Sequence, residues 1–371
     1  MPDIEVAHGL RAMEQLRPEW NALFEALPRR IHAQSFGWVA QQIRWLEMDP
    51  ESVYVAVARH AGKVVAVVPL RYAPRRLGAI KAACWSLLWD PHSTLSPILL
   101  APQVDMAQVM DGIMAALLRS RQGCDQIVLP SVLDDGSWQG DWSARNRRVV
   151  ANTCRQSMGF STASANSALA SSSSHFRKNL ARQRRKLETL GAVELELAVE
   201  PDAALTAYEV FLDLEASGWK GVRGTGSAIR LDARLVNFYS GLIRSLHPRQ
   251  EVWIATLRLD GRPVASNFCV RTDTTLAVLK ISFDETLRQA APGNVLLAML
   301  LEFCAAHPEI TWVSLVTGPA WAERWRPQEV RVQGLALFAP TLRGRAMYAF
   351  TRGKRALGRL HRDHSRVASQ A

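Results

Sequence analysis

The sequence predicts an α/β protein built from tandem copies of one domain, each a mixed, mostly antiparallel sheet flanked by helices. Three observations carry this reading. V-Y-V-A-V-A-R-H-A-G-K-V-V-A (Val53 to Ala66) aligns without a gap on V-W-I-A-T-L-R-L-D-G-R-P-V-A (Val252 to Ala265), and Tyr54 meets Trp253. Upstream, I-E-V-A (Ile4 to Ala7) resembles L-E-L-A (Leu195 to Ala198), and each precedes a helical run. Around both hairpins the same order, β-α-α-β-β-β-α-β, recurs. Self-similarity of this kind marks one structural unit used twice, and helices interleaved with strands give a layered α/β domain.

In the first copy, Ile4 to Ala7 alternates as a short strand. Met13, Leu16, Trp20, Leu23, Phe24 and Leu27 have helical spacing over Arg11 to Leu27. A second helix runs from Phe36 to Met48 and stops before Pro50. Val53 to Ala58 and Val64 to Tyr72 are β-branched strands around a turn holding Gly62, a hairpin signal. Ala83 to Trp89 and Ser96 to Leu100 are weaker strands around Pro91 and Pro97. Val104 to Leu118 reads as an amphipathic helix and Gln126 to Leu129 as a buried strand. The second copy has helices at Asp202 to Ser217 and Asp232 to Leu246, three strands through Ile281, a helix from Gly293 to His307 and a strand from Thr311 to Thr317. These readings divide the chain into a degenerate first domain (1–136), a linker (137–174), a second, catalytic domain (175–345) and a basic tail (346–371). Ser, Asn and Trp enrich Asp134 to Ser174, and the run Ser171 to Ser174 suits a linker ending in a helix N-cap.

A chain of 371 residues, 48% hydrophobic, can fill two cores. Its net charge of +11 points to an anionic partner. The five cysteines are odd in number and scattered without a C-x-x-C, which suits reduced thiols. The nine histidines show no ligand spacing, so no metal is expected. Met1 to Leu10 lacks the apolar core of a secretory signal. The longest apolar run, Val295 to Ala306, is interrupted by Glu302 and too short to span a bilayer. The expectation is a soluble, cytoplasmic protein.

Four stretches can carry chemistry. L-D-L-E-A-S-G-W-K-G-V-R-G-T (Leu212 to Thr225) takes a helix carrying Glu215 into a glycine-dense loop with Trp219, Lys220, Gly221, Gly224 and, one residue on, Gly226. Glycine at this density means positive φ or close backbone approach. The stretch reads either as an acceptor site or as a helix C-cap with Gly218 left-handed. L-A-V-L-K-I-S-F-D-E (Leu276 to Glu285) places Lys280 and Asp284 four apart at a strand end. A buried lysine there needs a carboxylate or a ligand phosphate, and a solvated edge lysine is the alternative. R-Q-A-A-P-G-N (Arg288 to Asn294) opens a helix whose free amides and dipole can bind phosphate. The same junction in the first copy holds Asp105, which repels phosphate. Finally, His175 to Leu190 is a basic helix with one narrow stripe, Phe176, Leu180, Leu187 and Leu190. A second basic run, Arg343 to Arg366, carries Tyr348 and Phe350 and suits a docking helix or a membrane-surface contact.

S-S-H-F-R-K-N-L-A-R-Q-R-R-K-L, E-A-S-G-W-K-G-V-R-G-T and K-I-S-F-D-E followed by A-P-G-N-V-L-L together resemble the CelD/BcsL-type acyltransferases. These are tandem acyl-CoA N-acyltransferase (GNAT) proteins, named for cellulose biosynthesis and related to the FemAB peptidoglycan ligases. The resemblance spans roughly Gln34 to Trp325 and implies an enzyme moving an acyl group, acetyl or longer, from coenzyme A to an amine or hydroxyl. Arg288, Ala291 and Gly293 fit the family's pyrophosphate motif with its first glycine changed, so Arg288 and the Ala291, Pro292, Gly293 and Asn294 segment would hold the donor. Glu215 is the candidate base, Lys280 and Asp284 the site floor. Trp219, Lys220 and Gly221, with Arg177, Asn179 and Arg182 of the basic helix, are the candidate substrate contacts. The implied acceptor is acidic or envelope-related: a polysaccharide, a cell-envelope precursor or a lipid. The basic tail would touch the inner face of the membrane. Relatives carry G-x-x-x-Y-K-x-x-W after the last core strand. Gly318 to Trp325 reads G-P-A-W-A-E-R-W instead, one residue shorter, with Glu323 near the lysine position. An aminoacyl-tRNA-dependent ligase is the second reading, and a non-enzymatic nucleic-acid binder, resting on charge alone, the third.

Overall fold

The computed structural model describes residues 2–77, 80–133, 148–162, 169 and 172–368. The first half contains β1 (Asp3–His8), α1 (Gly9–Gln15), α2 (Arg17–Ala26), α3 (Phe36–Trp45), β2 (Val53–His60), β3 (Lys63–Tyr72), a small ribbon of β4 (Arg75–Leu77) and β5 (Ile80–Ala82), β6 (Cys84–Leu87), β7 (Leu99–Leu100), α4 (Met106–Arg119), β8 (Gln126–Leu133) and β9 (Arg148–Ser161). The second contains α5 (Ser174–Glu188), β10 (Val193–Ala198), α6 (Pro201–Ser217), α7 (Ala233–Ser245), β11 (Gln250–Leu259), β12 (Arg262–Thr272), β13 (Thr275–Phe283), α8 (Pro292–Ala306), β14 (Trp312–Ser314), β15 (Gln328–Phe338) and α9 (Leu342–Ala368).

The helix expected over Arg11 to Leu27 is divided into α1 and α2 at Leu16. Pro18 is the cause: it has no N–H to donate, and its ring crowds the carbonyl one turn earlier. The duplication is visible in the backbone. β2 pairs with β3, and β11 with β12, as antiparallel hairpins, and each pair has a register shift at the aligned position, Ala58/Arg59 and Leu257/Arg258. Each half also contains one parallel pair, β6 with β8 and β13 with β14.

The two sheets are one. Strand order is β1-β2-β3-β6-β8-β15-β9-β14-β13-β12-β11-β10, with β7 on the side of β3. The halves exchange strands at the centre: β15, from the second, pairs with β8 (Leu337 opposite Ile127), while β9, from the first, pairs with β14 (Val313 opposite Phe160). This differs from the reading of 137–174 as a linker, because Arg148–Ser161 is a sheet strand. Much of the remainder of that stretch lies outside the described residues. A segment as polar as A-N-T-C-R-Q-S gives no two-residue alternation to recognise. Its conformation is imposed by β15, which pairs with it from Arg148 to Gly159, and β14 pairs only with the end of the strand, Gly159 to Ser161.

Helices α5 and α8 cover one face of the second half-sheet, and α6 and α7 the other. The first half docks on the second face. Ala33 and Trp38 belong to the same buried cluster as Tyr208, Phe211, Phe238 and Tyr239, and the Trp38 and Phe238 rings meet edge-to-face at 5.5 Å. α3 and α7 touch through glycines. A Cβ on Gly37 would lie 2.1 Å from the Ser245 carbonyl oxygen, and one on Gly241 2.3 Å from Gln41 Oε1. Gln41 Nε2 donates to Ser245 Oγ at 3.1 Å, and Arg30 pairs with Asp273 at 2.6 Å.

Gly37→Ala is therefore expected to cost about 1–3 kcal/mol in urea unfolding, because the backbone of α7 must move. Gly353→Ala, on an exposed helical face with open space around it, is expected to gain up to about 1 kcal/mol from helix propensity. Equal responses of the two variants would rule out the close α3–α7 contact.

Candidate active site

The site begins where two parallel strands part. β13 and β14 pair only from Thr275 opposite Trp312 to Ala277 opposite Ser314. β13 continues to Phe283, whereas the chain after Ser314 turns away through Val316 at φ 53° and gives the Leu315 amide to the Met158 carbonyl of β9. β13 also bulges. Phe268 of β12 faces Lys280 and Cys269 faces Val278, so Leu279 is the extra residue. A cavity of about 360 Å³ opens in the gap, walled by Val278, Ile281, Phe283 and Leu297.

Four of the five residues expected to hold a phosphate-bearing donor line the same cavity: Arg288, Ala291, Gly293 and Asn294, with Asn267 and Trp321 beside them. Pro292 occupies the first turn of α8, where a missing N–H costs nothing. Ala291 precedes it in a left-handed conformation (φ 48°, ψ 57°), and no side chain caps the helix. Its positive dipole end thus faces the cavity without a carboxylate in the first turn, while the Asn294 amide donates to the Ala291 carbonyl at 2.9 Å. The matching helix of the first half is occupied by its own chain: Asp105 Oδ1 accepts the Ala107 amide at 2.8 Å.

Glu215, at the end of α6, is 3% exposed. Its Oε1 accepts Lys220 Nζ at 2.8 Å and its Oε2 accepts the Ile229 amide at 2.8 Å. Lys220 Nζ also donates to the Ile281 carbonyl of β13 at 2.9 Å. One buried ion pair thus closes the loop after α6 and pins it to the diverging strand. Gly218 is extended (φ −92°, ψ −162°) rather than left-handed, so the simple C-cap reading does not describe this loop. The glycines serve close approach: a Cβ on Gly221 would lie 1.9 Å from the Ala216 carbonyl oxygen, and one on Gly224 1.8 Å from that of Trp219. Trp219 is half-exposed. Its amide donates to Glu285 Oε1 at 2.7 Å, and its ring lies 5.7 Å from Lys220 Nζ.

Of the partners open to Lys280, the carboxylate four residues on is not one: Asp284 does not pair with it. Asp284 lies past the strand end, where Oδ1 accepts the Thr286 amide (2.9 Å) and hydroxyl (2.6 Å), and Oδ2 pairs with Arg262 at 3.2 Å. Lys280 instead faces α7, because the bulge turns it to the side of Phe268, and its Nζ sits 5.8 Å from the Tyr239 ring centroid. Burial, then the Lys220 charge, pull its pKa down to about 8, against Glu215 and Asp90.

Sequence reading missed what surrounds Lys280. His92, on the loop after β6, places Nδ1 3.0 Å from the Tyr239 hydroxyl, and its amide donates to Asp90 Oδ1 at 2.7 Å. Burial and Lys280 push its pKa down to about 4, opposed by Asp90 and Asp232. Ser93 anchors this loop. Its Oγ accepts Trp38 Nε1 (3.0 Å) and donates to Gln42 Oε1 (2.8 Å), and its carbonyl accepts His32 Nε2 at 3.1 Å. His32 is 3% exposed, and burial takes its pKa down to about 4. In sequence, W-D-P-H shows only a proline turn.

The remaining expected contacts lie on the other face. Phe176, Leu180 and Leu187 fix α5 in the core beneath α8. Arg177 donates to the Ser172 carbonyl and Arg182 to Asn179 Oδ1 at 2.8 Å. Arg177, Asn179 and Arg182 are thus on the cavity side of the sheet, away from Lys280. Trp325 packs on Phe176 with ring centroids 5.1 Å apart, while Glu323 is exposed. Cys269 and Cys304 are buried in the same core, where burial raises both thiols, Cys304 to about 12. Neither lines the cavity. Among the described residues no cluster of three metal-ligating side chains occurs, and no helix is long and apolar enough to cross a membrane.

His32 and His92 make stability depend on pH. Each has a folded pKa near 4 against an ordinary 6.5, so the unfolded chain binds those protons first. The contribution is whole above pH 6.5 and is lost as pH falls from 6.5 towards 4. The melting temperature is expected to fall through this window, and less steeply in His32→Asn. A wild-type melting temperature that stays flat from pH 6.5 to about 5 would contradict the neutral burial of both rings.

Residues 174–326 match the acetyltransferase (GNAT) domain family. No curated protein matches the chain. Among solved structures, FemX is 10% identical with a TM-score of 0.56, covering 93% of this chain and 99% of its own. L-PGS from Bacillus licheniformis is 10% identical with a TM-score of 0.53, covering 93% and 98%. A tandem GNAT protein from the clavulanic acid biosynthesis pathway is 12% identical with a TM-score of 0.50, covering 91% and 100%. At these identities the likeness is one of fold. The chain has the mixed α/β fold of tandem GNAT-like proteins, and its second half carries a GNAT acetyltransferase domain.

Proposed function

We propose that the protein is an acyltransferase of the CelD/BcsL type, moving an acyl group from coenzyme A directly to an amine or hydroxyl. The observation that carries this is the uncapped start of α8, free of carboxylate and opening on the 360 Å³ gap between β13 and β14. Arg288, the Gly293 amide and the positive end of α8 would hold the pyrophosphate, since Pro292 has no amide hydrogen and the Ala291 and Asn294 amides donate to the Arg288 and Ala291 carbonyls. The pantetheine arm would run along the apolar wall of Val278, Ile281 and Leu297. The acceptor nitrogen or oxygen attacks the thioester carbon, a β13 amide stabilises the oxyanion, and the carbon–sulfur bond breaks; the proton lost by the acceptor passes, directly or through water, to the departing thiolate, which leaves as the thiol. No acyl-enzyme is needed, in keeping with Cys84, Cys124, Cys269 and Cys304, which are buried and do not line the cavity.

Glu215 enters this reading as a positioning residue rather than the base. Both its oxygens already accept bonds, so it holds Lys220 against Ile281 and keeps the loop shut. The expected acceptors are a polysaccharide, a cell-envelope precursor or a lipid, met in the cytoplasm or at the inner membrane face. Leu342 and Phe350 of α9, 86% and 69% exposed, suit such surface contact. An aminoacyl-tRNA donor, favoured by the basic face of α5 and the fold-level likeness to FemX, is the second reading. Loss of activity on ribonuclease treatment would support it.

Calorimetric titration with acetyl-CoA and a long-chain acyl-CoA tests the donor site. Gly293→Asp is expected to weaken binding at least about tenfold by placing a carboxylate at the helix start. The fold should tolerate the change, since the nearest neighbour of an added Cβ is Phe283 at 3.5 Å. Unchanged binding would remove the α8 start as the donor site. Glu215→Gln is expected to lower the melting temperature and keep the shape of the pH–rate profile. Loss of its acidic limb, with kcat down about 100-fold or more, would reinstate Glu215 as the base.

A further inference from the structure

The donor cavity and Lys280 lie on opposite faces of the same stretch of β13. Val278 and Ile281 line the cavity, whereas Lys280, turned by the bulge, lies over Tyr239. An acyl group threaded through the gap would emerge near Lys280. The wall opposite comes from the first half, which presents Asp90 and His92 on a loop locked by Ser93, Trp38 and Gln42.

The formal charges around Lys280 cancel, but none of them pairs with it directly. From α6 and its following loop come Glu215 and Lys220, already committed to each other at 2.8 Å. From α7 come the Tyr239 hydroxyl and, at its start, Asp232, which binds Arg234 at 2.8 Å. From the first-half loop come His92, neutral at physiological pH, and Asp90, which accepts the His92 amide. Among the described residues no carboxylate lies within ion-pair distance of Lys280 Nζ. A half-buried ammonium that feels Glu215 and Asp90 only from beyond ion-pair distance is costly, and such groups are retained where a ligand supplies a direct partner.

We propose that the acceptor binds in a subsite shared by both halves, between the Asp90–His92 loop and Lys280, and carries a phosphate or carboxylate that Lys280 receives. This rests on the acyltransferase reading. It gives the first half, whose own helix start is filled by Asp105, a task in acceptor selection. An anion at Lys280 favours the ammonium, so binding near and above pH 8 takes up a fraction of a proton.

The test is trace labelling of wild-type protein with acetic anhydride, with Lys280 followed by peptide mass spectrometry from about pH 6 to 10. Inorganic phosphate, acetate and chloride are compared at equal ionic strength. Phosphate or acetate is expected to slow labelling of Lys280 roughly tenfold near pH 8 and to leave the exposed Lys178 unchanged. The effective anion separates a phosphate-bearing from a carboxylate-bearing acceptor. His92→Ala should weaken the protection. Protection by neither anion beyond chloride overturns the inference, and full protection in His92→Ala overturns the shared subsite. Acetyl-CoA titration of the same sample keeps the two readings apart, since donor binding without Lys280 protection leaves the acyltransferase reading standing.

Discussion

Three residue pairs hold β13 to β14, and the functional architecture of the second half depends on the pairing ending there. A parallel pair that continued would fill the gap with side chains and satisfy the β13 backbone edge. Because β14 stops at Ser314 and the chain turns onto β9, the edge of β13 is left for other partners. Lys220 takes the Ile281 carbonyl, and the cavity takes the rest. The exchanged strand β9 is therefore part of the site's construction: it receives the chain that would otherwise close the gap.

The Glu215–Lys220 pair shows how charge is used for geometry. Buried ion pairs add little net stability, yet breaking one by removing a partner costs about 3–5 kcal/mol. Such a pair suits a loop that must hold one shape without a core of its own. Gly221 and Gly224 allow the backbone to fold back on Ala216 and Trp219, and the ion pair then fixes the loop to α6 and β13.

Duplication gave the protein two equivalent helix starts, and one side-chain difference separates their chemistry. Asp105 turns the first into a self-capped helix. Ala291, Pro292 and Gly293 leave the second open, with no competing anion. The first half contributes packing instead, sending Trp38 into the core beside Phe238 and Tyr239 and bringing its 90–93 loop to the face of β13 opposite the cavity.

The sequence by itself determined what depends on neighbours in the chain. The repeated hairpins, the helix pattern, the open start at Pro292 and the need for glycine after Glu215 are local matters of spacing, φ and excluded volume, and they were legible. Tertiary structure decided what depends on distant partners. β9 is a strand because β15 pairs along most of it and β14 takes its end, and nothing in its polar sequence says so. The Lys280–Asp284 spacing suggested a pair, but a one-residue bulge and the end of the strand sent the two side chains to different partners. His92, Asp90 and Tyr239 meet Lys280 only because α3 and α7 pack through glycines. That contact lies about 200 residues away along the chain, beyond the reach of any local pattern.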